Sequence, residues 1–209
     1  MKSLDSERNR AVLDGALKLF EKHPLKDITL EKLTKVSGVP AFDIIRSFQS
    51  SENILKAVLE RELELMAAAA QAPELRMPGE TIGDELRILA GVILDQYRKR
   101  LPFMGKLVNE ALTDQKVAAL YYGTFIVQGR LLFAEFLRVR HGFGELRDDV
   151  DIEAASAIFL ASLIGSVMTF ELFGGKEVET LDDERLLCQM CGTFLDGISK
   201  KASGGQERI

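Results

Sequence analysis

Two cysteines and two histidines are the residues of this chain whose types could bind a metal or perform redox chemistry. Cys188 and Cys191 have CxxC spacing, which is typical of redox motifs and of one half of a zinc site. A zinc site needs a second pair of ligands, and neither His23 nor His141 has the spacing to supply one. We therefore interpret the cysteines as core or interface residues and expect no metal site and no cofactor.

Two acidic runs, at residues 148–151 and 182–184, could also suggest metal ligands. Each run precedes a segment with helical periodicity, and negative charge is favourable near the N-terminus of a helix. We interpret both runs as helix-capping segments. The sequence contains no nucleophile–base pair and no phosphate-binding loop, which favours a protein that is not an enzyme.

Composition and charge are those of a soluble globular protein. The 209 residues are 46% hydrophobic and 28% charged, and the net charge is −5. This acidic balance argues against a protein that coats nucleic acid non-specifically. Residues 1–60 carry ten Lys or Arg and nine Asp or Glu, so this part has a charge of +1 and the remainder −6. A near-neutral N-terminal module on an acidic body is compatible with DNA binding.

No secretion or membrane signal is expected. The first ten residues have no apolar signal region, which predicts a cytoplasmic protein. The longest uncharged run, residues 154–170, has 17 residues and is shorter than the roughly 20 that a membrane span needs. We interpret this run as a buried or interface helix and expect no membrane partner.

A helix-turn-helix is predicted within residues 26–58. Thr29 is placed to cap a first short helix, and Gly38 can adopt the positive φ of a turn. Ile44 and Phe48 then give the second helix an apolar face at i and i+4. In this arrangement the second helix is shaped to enter a DNA major groove.

The whole chain has helical periodicity, interrupted at prolines and glycines. We predict an all-α fold of about nine helices, the second and third forming the helix-turn-helix. Residues 1–50 form a three-helix domain, residues 51–202 a larger helical domain, and residues 203–209 a flexible tail. In the larger domain the expected helices are 84–100, 103–112, 114–139, 152–173 and 182–200.

The N-terminal segment resembles the TetR family of bacterial transcriptional regulators. Residues 12–20, VLDGALKLF, match the first-helix pattern I-L-x-A-A-x-x-L-F of that family. Residues 29–39 match T-V-x-x-I-A-x-x-A-G-V, and residues 44–55 match parts of L-Y-x-H-F-x-S-K-E-x-L-L. The resemblance is specific over residues 8–60 and elsewhere concerns only helix number and length. It implies a DNA-binding N-terminal domain and a C-terminal domain that binds ligand and dimerises.

Several positions depart from the family pattern on the expected recognition helix and just after it. Ile45 replaces the usual Tyr, Ser47 replaces His or Tyr, and Ser51 replaces Lys. Phe42 and Asp43 stand where Gly and a hydroxyl residue are common. Because phosphate contacts supply a large share of DNA affinity, these changes weaken that contribution.

Enough polar and cationic residues remain for a DNA interface to be predicted. In it, Asp43 could accept a hydrogen bond from a cytosine amino group, and Phe42 could contact a thymine methyl group. The alternative is a module that has kept the fold and lost DNA binding. The candidate DNA-contacting residues are Thr29, Lys35, Pro40, Ala41, Phe42, Asp43, Arg46, Ser47, Ser50 and Ser51.

The middle and last helices suggest two further sites. Ordinary core packing is the favoured interpretation of any one of the abundant aromatic and apolar residues, but together with a few polar points they could line a ligand pocket. The candidate pocket residues are Phe103, Leu107, Tyr121, Tyr122, Phe125, Gln128, Phe159 and Ser162. The last two helices, with small residues that permit close approach, are expected to form a four-helix dimer interface. Its candidate residues are Ala157, Ala161, Gly165, Leu187, Cys191 and Phe194.

Together, these features predict a ligand-responsive regulator similar to the TetR family. It would be a homodimeric repressor that binds double-stranded operator DNA and is released by a small lipophilic or aromatic effector. One alternative is a ligand-binding or protein-interaction dimer of the same fold that does not bind DNA. An enzyme built in a helical bundle is the third hypothesis.

Overall fold

The computed structural model describes residues 2–71, 81–180 and 182–200. These ranges contain nine α-helices and no β-strand beyond a single bridge between Leu146 and Ser199. The expectation of an all-α fold with about nine helices is therefore confirmed, whereas the predicted tail at 203–209 lies outside the described residues. The helices are α1 Lys2–Phe20, α2 Leu30–Ser37, α3 Ala41–Phe48, α4 Ser51–Ala70, α5 Ile82–Lys99, α6 Leu101–Ala111, α7 Gln115–Gly142, α8 Ile152–Leu172 and α9 Asp183–Ile198.

The described residues form two compact units. Unit 1 comprises residues 2–67 and Lys99–Gln128. Unit 2 comprises the described residues of 68–98 and those from Gly129 onward. The helix-turn-helix and α6 therefore belong to the same unit, while α8 and α9 belong to the other. The sequence-based domain limits at residues 50 and 202 remain predictions.

Unit 1 is built around the apolar faces of its first three helices. Val12, Leu33, Ile44 and Phe48 are buried where α1, α2 and α3 pack together. At Gly15, an added Cβ would lie 3.2 Å from a Val36 side-chain carbon and 3.3 Å from the amide nitrogen of Ser37. A small residue at this position therefore lets α1 approach α2 closely.

Unit 2 has an aromatic core contributed by three of its helical segments. The rings of Phe133 in α7 and Phe159 in α8 stack with centroids 4.9 Å apart. Phe194 of α9 packs against both rings, at 6.2 Å from Phe133 and 4.8 Å from Phe159. Because aromatic pairs at these distances contribute beyond the area that they bury, this cluster fixes the C-terminal helices on one another.

Helices α7 and α8 are long and apolar enough to span a membrane by length and composition, with mean hydropathy of 1.3 and 1.7. This finding extends the sequence analysis, which considered only the uncharged run within α8. It is weak evidence for a membrane protein because long helices of soluble proteins meet the same criteria. In each helix, only 28% of the most apolar window is buried within the chain.

Candidate nucleic-acid interface and ligand site

The turn between α2 and α3 is defined by a few local interactions. The Thr29 hydroxyl accepts a 3.3 Å hydrogen bond from the Lys32 amide and so caps α2. Gly38 ends α2 with φ of 70°, a left-handed conformation that glycine adopts without strain. The Val39 amide then donates to the Ser37 hydroxyl at 3.2 Å, and Pro40 precedes the first turn of α3. The predicted helix-turn-helix geometry is present.

Helix α3 buries one face and exposes the other. Ile44 and Phe48 are almost fully buried, whereas Phe42 is 73% and Ile45 52% exposed. Arg46 is also exposed on this outward face, as are the candidate contact residues Pro40 and Ser47, while Ala41 is half-buried. The outward face of α3 is thus a mixed apolar and cationic surface.

Asp43 is not the open acceptor that the sequence analysis envisaged. Its carboxylate lies 2.9 Å from a guanidinium nitrogen of Arg8 in α1 and 3.5 Å from one of Arg46. The Asp43 side chain is only 16% exposed. Reading a cytosine amino group with Asp43 would therefore compete with its contacts to Arg8 and Arg46. The sequence analysis missed Arg8 because it lies 35 residues away.

Three of the four candidate hydroxyl residues, Thr29, Ser50 and Ser51, differ in whether the hydroxyl accepts or donates a hydrogen bond within unit 1. Thr29 and Ser50 accept from main-chain amides, Ser50 from Asn53 at 3.2 Å. A hydroxyl that accepts a hydrogen bond can still donate its own proton to a phosphate. Ser51 instead donates to the Ile28 carbonyl oxygen at 3.2 Å, so its proton is used within unit 1. Lys35 is exposed on α2.

Helix α6 contacts the turn before α2, helix α4 and helix α1 through three interactions that no local sequence pattern indicates. Glu110 accepts a 2.7 Å hydrogen bond from the Leu25 amide, in the 3-10 turn before α2. Arg100, at the start of α6, donates at 2.7 Å to the buried Glu62 of α4. The third interaction is an aromatic contact in which the Phe103 ring lies 6.3 Å from that of Phe20 in α1.

The candidate pocket residues of unit 1 fall into two groups. Phe103, Leu107, Tyr121 and Phe125 are buried, and the last two rings stack at 5.9 Å. The other two, Tyr122 and Gln128, were expected as polar points of a cavity. Tyr122 is 60% exposed, and Gln128 is also exposed.

A π-helical segment, Tyr121–Ile126, lies among these residues. The Val127 amide bonds to the Tyr122 carbonyl oxygen five residues earlier, so the turn contains one residue more than an α-helical turn. This shifts the register of the side chains that follow, which a period of 3.6 residues cannot predict. Such segments are frequent at functional sites. A second one, Val167–Leu172, ends α8.

The remaining candidate pocket residues, Phe159 and Ser162, lie in unit 2. Phe159 is 1% exposed in the aromatic core, and Ser162 is exposed on α8. Both border a groove of about 610 Å³ between α8 and α9, whose lining is mainly apolar. Ile158, which is 63% exposed, also lines this groove.

The candidate interface residues divide between the surface and the interior of unit 2. Ala157 and Ala161 are exposed on α8, and nothing lies within 4 Å of a Cβ added at Gly165. The packing within unit 2 therefore does not require a glycine at position 165. Leu187 is half-buried on α9. Cys191 is 2% exposed, and Phe194 packs in the aromatic core and also lines the groove between α8 and α9.

The CxxC pair has no catalytic geometry. Cys188 is exposed and Cys191 is buried, and both are free thiols. Burial raises the pKa of the Cys191 thiol to about 11, so it remains protonated at neutral pH and is a poor nucleophile and metal ligand. Within the described ranges, His, Cys, Asp and Glu residues nowhere form a group of three or more that could hold a metal ion.

No protein-family model and no curated protein matches this sequence. Solved structures do resemble it. One is a Rhodococcus protein provisionally assigned to the TetR family of transcriptional regulators, with a TM-score of 0.75 and 15% identity. The similarity covers 93% of this chain and 100% of that one.

Two further solved structures have names that state a biological response. The flavonoid-responsive regulator FrrA has a TM-score of 0.71 and 21% identity, over 94% of this chain and 100% of its own. The fatty acid degradation regulator FadR from Bacillus halodurans has a TM-score of 0.64 and 16% identity, over 91% and 95% of the two chains. At these identities the similarity establishes a common fold.

Proposed function

We propose that this protein is a homodimeric, ligand-responsive transcriptional regulator that binds operator DNA through α3. The observation that carries the proposal is the helix-turn-helix, whose second helix has an exposed face bearing Phe42, Ile45 and Arg46. The fold shared with regulators over more than nine-tenths of the chain supports the same function. We also propose that it acts in the cytoplasm.

In the proposed complex, α3 lies in the major groove and the surrounding groups contact the backbone. Arg46 and Lys35 supply positive charge, and Thr29 and Ser50 have hydroxyl protons that can be donated to phosphates. Thr29 and Ser50 also lie at the N-termini of α2 and α4, where main-chain amides favour an anion. These contacts replace part of the phosphate affinity that Ile45, Ser47 and Ser51 do not provide.

The dimer interface is proposed on the exposed face of α8 together with α9. Ala157, Ile158 and Ala161 are exposed there, and a Cβ at Gly165 would meet nothing within the chain. A second copy that packed its own α8 and α9 into the groove would cover this apolar surface. This association also explains why so little of α8 is buried in a single chain. Two recognition helices in such a dimer would have to lie about 34–36 Å apart to enter successive major grooves.

The proposed effector is a small lipophilic or aromatic molecule. Its site is centred on Phe103, Leu107, Tyr121 and Phe125, which are buried in unit 1 beside the π-helical segment. Apolar pockets with a few polar groups are typical of such ligands. The regulators named for flavonoid response and for fatty acid degradation support this chemical class.

The proposed route from effector to DNA passes through α6. This helix carries Phe103 and Leu107 and is also bonded to the turn before α2 through Glu110. An effector that binds better when α6 is displaced would favour a state in which α3 is no longer placed for DNA. The free energy of operator binding then becomes less favourable, by at most the difference between the effector's binding free energies in the two states. Release from the operator by the effector corresponds to a repressor.

The alternative function is a ligand-binding dimer that does not use DNA. It is favoured by the replacement of three expected polar or cationic residues by Ile45, Ser47 and Ser51, and by the engagement of Asp43 with Arg8. A salt titration of DNA binding separates the two functions. We expect the protein to bind the region upstream of its own gene specifically, with an affinity that falls steeply as salt increases.

Matched variants make this test specific. Lys35→Ala should weaken binding to every duplex and reduce the salt slope by about one. Lys116→Ala changes an exposed lysine at the start of α7 and should leave DNA affinity unchanged. Failure to bind the upstream region or any selected duplex at low salt would support the alternative function.

Effector binding can be tested without DNA. A lipophilic ligand at about 100 times its dissociation constant should raise the free energy of unfolding by roughly 2.7 kcal/mol, which a thermal shift detects. Tyr121→Ala should reduce this shift, whereas the exposed Tyr122→Ala should preserve it. A lipophilic library that produces no shift would indicate that these aromatic residues serve only as core.

A further inference from the structure

Large apolar side chains occupy the outward face of α3. Phe42 is 73% exposed and Ile45 is 52% exposed, although both belong to an eight-residue helix in a closely packed unit. Burying such a side chain fully is favourable by about 1.5–3 kcal/mol, so exposing two together forgoes a substantial stabilisation. An exposed apolar pair of this kind is typical of a contact surface.

The polar groups of the same helix are less available to read bases. Asp43 is held by Arg8 at 2.9 Å, and Arg46 lies 3.5 Å from the same carboxylate. The hydroxyl of Ser47 has a short reach compared with the neighbouring Phe42 and Ile45. Phe42 and Ile45 are therefore the uncharged side chains that extend furthest from α3.

Thymine offers the matching chemistry. Among the groups that base edges present in the major groove, the 5-methyl group of thymine is the apolar one. Apolar side chains can contact it. Cationic side chains beside the pair, Arg46 on α3 and Lys35 on α2, complement the phosphates on either side of such a base. The surface thus combines charge for the backbone with apolar groups for the base edge.

We propose that α3 selects its operator by reading thymine methyl groups with Phe42 and Ile45. The inference rests on the proposed DNA-binding function and specifies how it achieves selectivity. It predicts half-sites with thymine opposite these two residues, and it assigns Asp43 to positioning the helix rather than to reading a base.

The test removes the methyl group and nothing else. Duplexes that the protein binds are first selected from a random pool and then resynthesised with deoxyuridine in place of thymidine. Uracil keeps the hydrogen-bonding edge of thymine, so a change in affinity reports the methyl group. We expect the dissociation constant to rise about fourfold for each methyl contacted, which corresponds to about 0.8 kcal/mol for one buried methylene.

A double-mutant cycle connects this effect with the two side chains. The Phe42→Ala, Ile45→Ala double variant should bind thymine and uracil duplexes with equal affinity, both weaker than the wild-type complex. Val178→Ala removes an apolar residue of unit 2 that is 86% exposed, and it should keep the wild-type discrimination.

The outcomes test methyl reading and DNA binding separately. A selected, specific complex whose affinity is unchanged by uracil would overturn methyl reading while leaving the DNA-binding function intact. The same holds if the double variant discriminates as well as the wild type. If no duplex is enriched, the DNA-binding function itself fails, and the inference fails with it.

Discussion

The main-chain amide of Leu25 donates a 2.7 Å hydrogen bond to the carboxylate of Glu110, which lies 85 residues further along the chain. Leu25 begins the 3-10 turn that leads into the helix-turn-helix, and Glu110 lies in the last turn of α6. A hydrogen bond to a charged, partly buried acceptor typically contributes about 1.5–3 kcal/mol. This contact is one of those that tie the helix proposed to sense the effector to the helices proposed to bind DNA.

Glu110→Ala should lower the free energy of unfolding by about 1.5–3 kcal/mol, because the Leu25 amide then lacks this acceptor. The variant should also show a smaller effect of effector on DNA affinity, since α6 loses one of its connections to the helix-turn-helix. Urea denaturation measures the first change and DNA titration with and without effector the second. Glu64→Ala, an exposed glutamate of α4, serves as control and should change neither. Unchanged stability in Glu110→Ala would show that this hydrogen bond contributes nothing in solution.

Ala161→Arg should convert the proposed dimer into monomers. The side chain of Ala161 is exposed on α8, so arginine fits the single chain but places a charge in the proposed interface. Sedimentation velocity at micromolar concentration should give a dimer for the wild type and a monomer for the variant. Ala119→Arg introduces the same charge at an exposed alanine of α7 and should remain dimeric. A wild-type protein that sediments as a monomer would contradict the interface.

The helix-turn-helix could be predicted from the sequence because its signals are local. Thr29 caps the helix that follows it, and Gly38 takes the left-handed conformation that its lack of a side chain permits. Ile44 and Phe48 define the buried face of α3 by spacing alone. Each feature depends on residues within one or two turns, so a linear pattern contains the necessary information.

Other features could not be predicted because they depend on distant residues or on an altered helical period. The pairing of Asp43 with Arg8 joins two helices and engages a carboxylate that the sequence suggested for base reading. The π-helical segment of α7 shifts the register of the side chains that follow it, which a regular helical period does not predict. Cys191 lies on the inward side of α9, which only the packed structure distinguishes from an interface position.

An ion-pair cluster in unit 2 should make part of the stability depend on pH. Arg98 donates at 2.5 Å to both Glu171 and Asp183, and Lys176 donates to the same two carboxylates at 2.6 and 3.1 Å. Burial alone would raise the pKa of Glu171, but hydrogen bonds from Lys176 and Arg98 outweigh it and lower the pKa. For Asp183 the hydrogen bond from Arg98 is the main cause of a lowered pKa.

A carboxyl group whose pKa is lowered by folding stabilises the folded state above its unfolded pKa and loses this contribution as pH falls through the folded pKa. Glu171→Gln should therefore be less stable than the wild type at pH 7, and the difference should shrink below about pH 4. Urea denaturation across this range measures the difference. Glu179→Gln, an exposed glutamate nearby in the chain, should match the wild type throughout. A Glu171→Gln difference that does not vary with pH would exclude an ionised pair as its cause.

Gln49→Gly should stabilise the protein. Gln49 ends α3 with φ of 65° and ψ of −37°, and among the described residues it is the one non-glycine with positive φ. Such a conformation costs a residue with a side chain roughly 1–3 kcal/mol, which glycine avoids. Glycine also increases the entropy of the unfolded chain, so we expect a net gain of about 1 kcal/mol. Urea denaturation measures this gain, and Gln128→Gly within α7 should have the opposite sign because glycine destabilises a helix interior. Destabilisation by Gln49→Gly would mean that contacts of the Gln49 side chain outweigh the backbone strain.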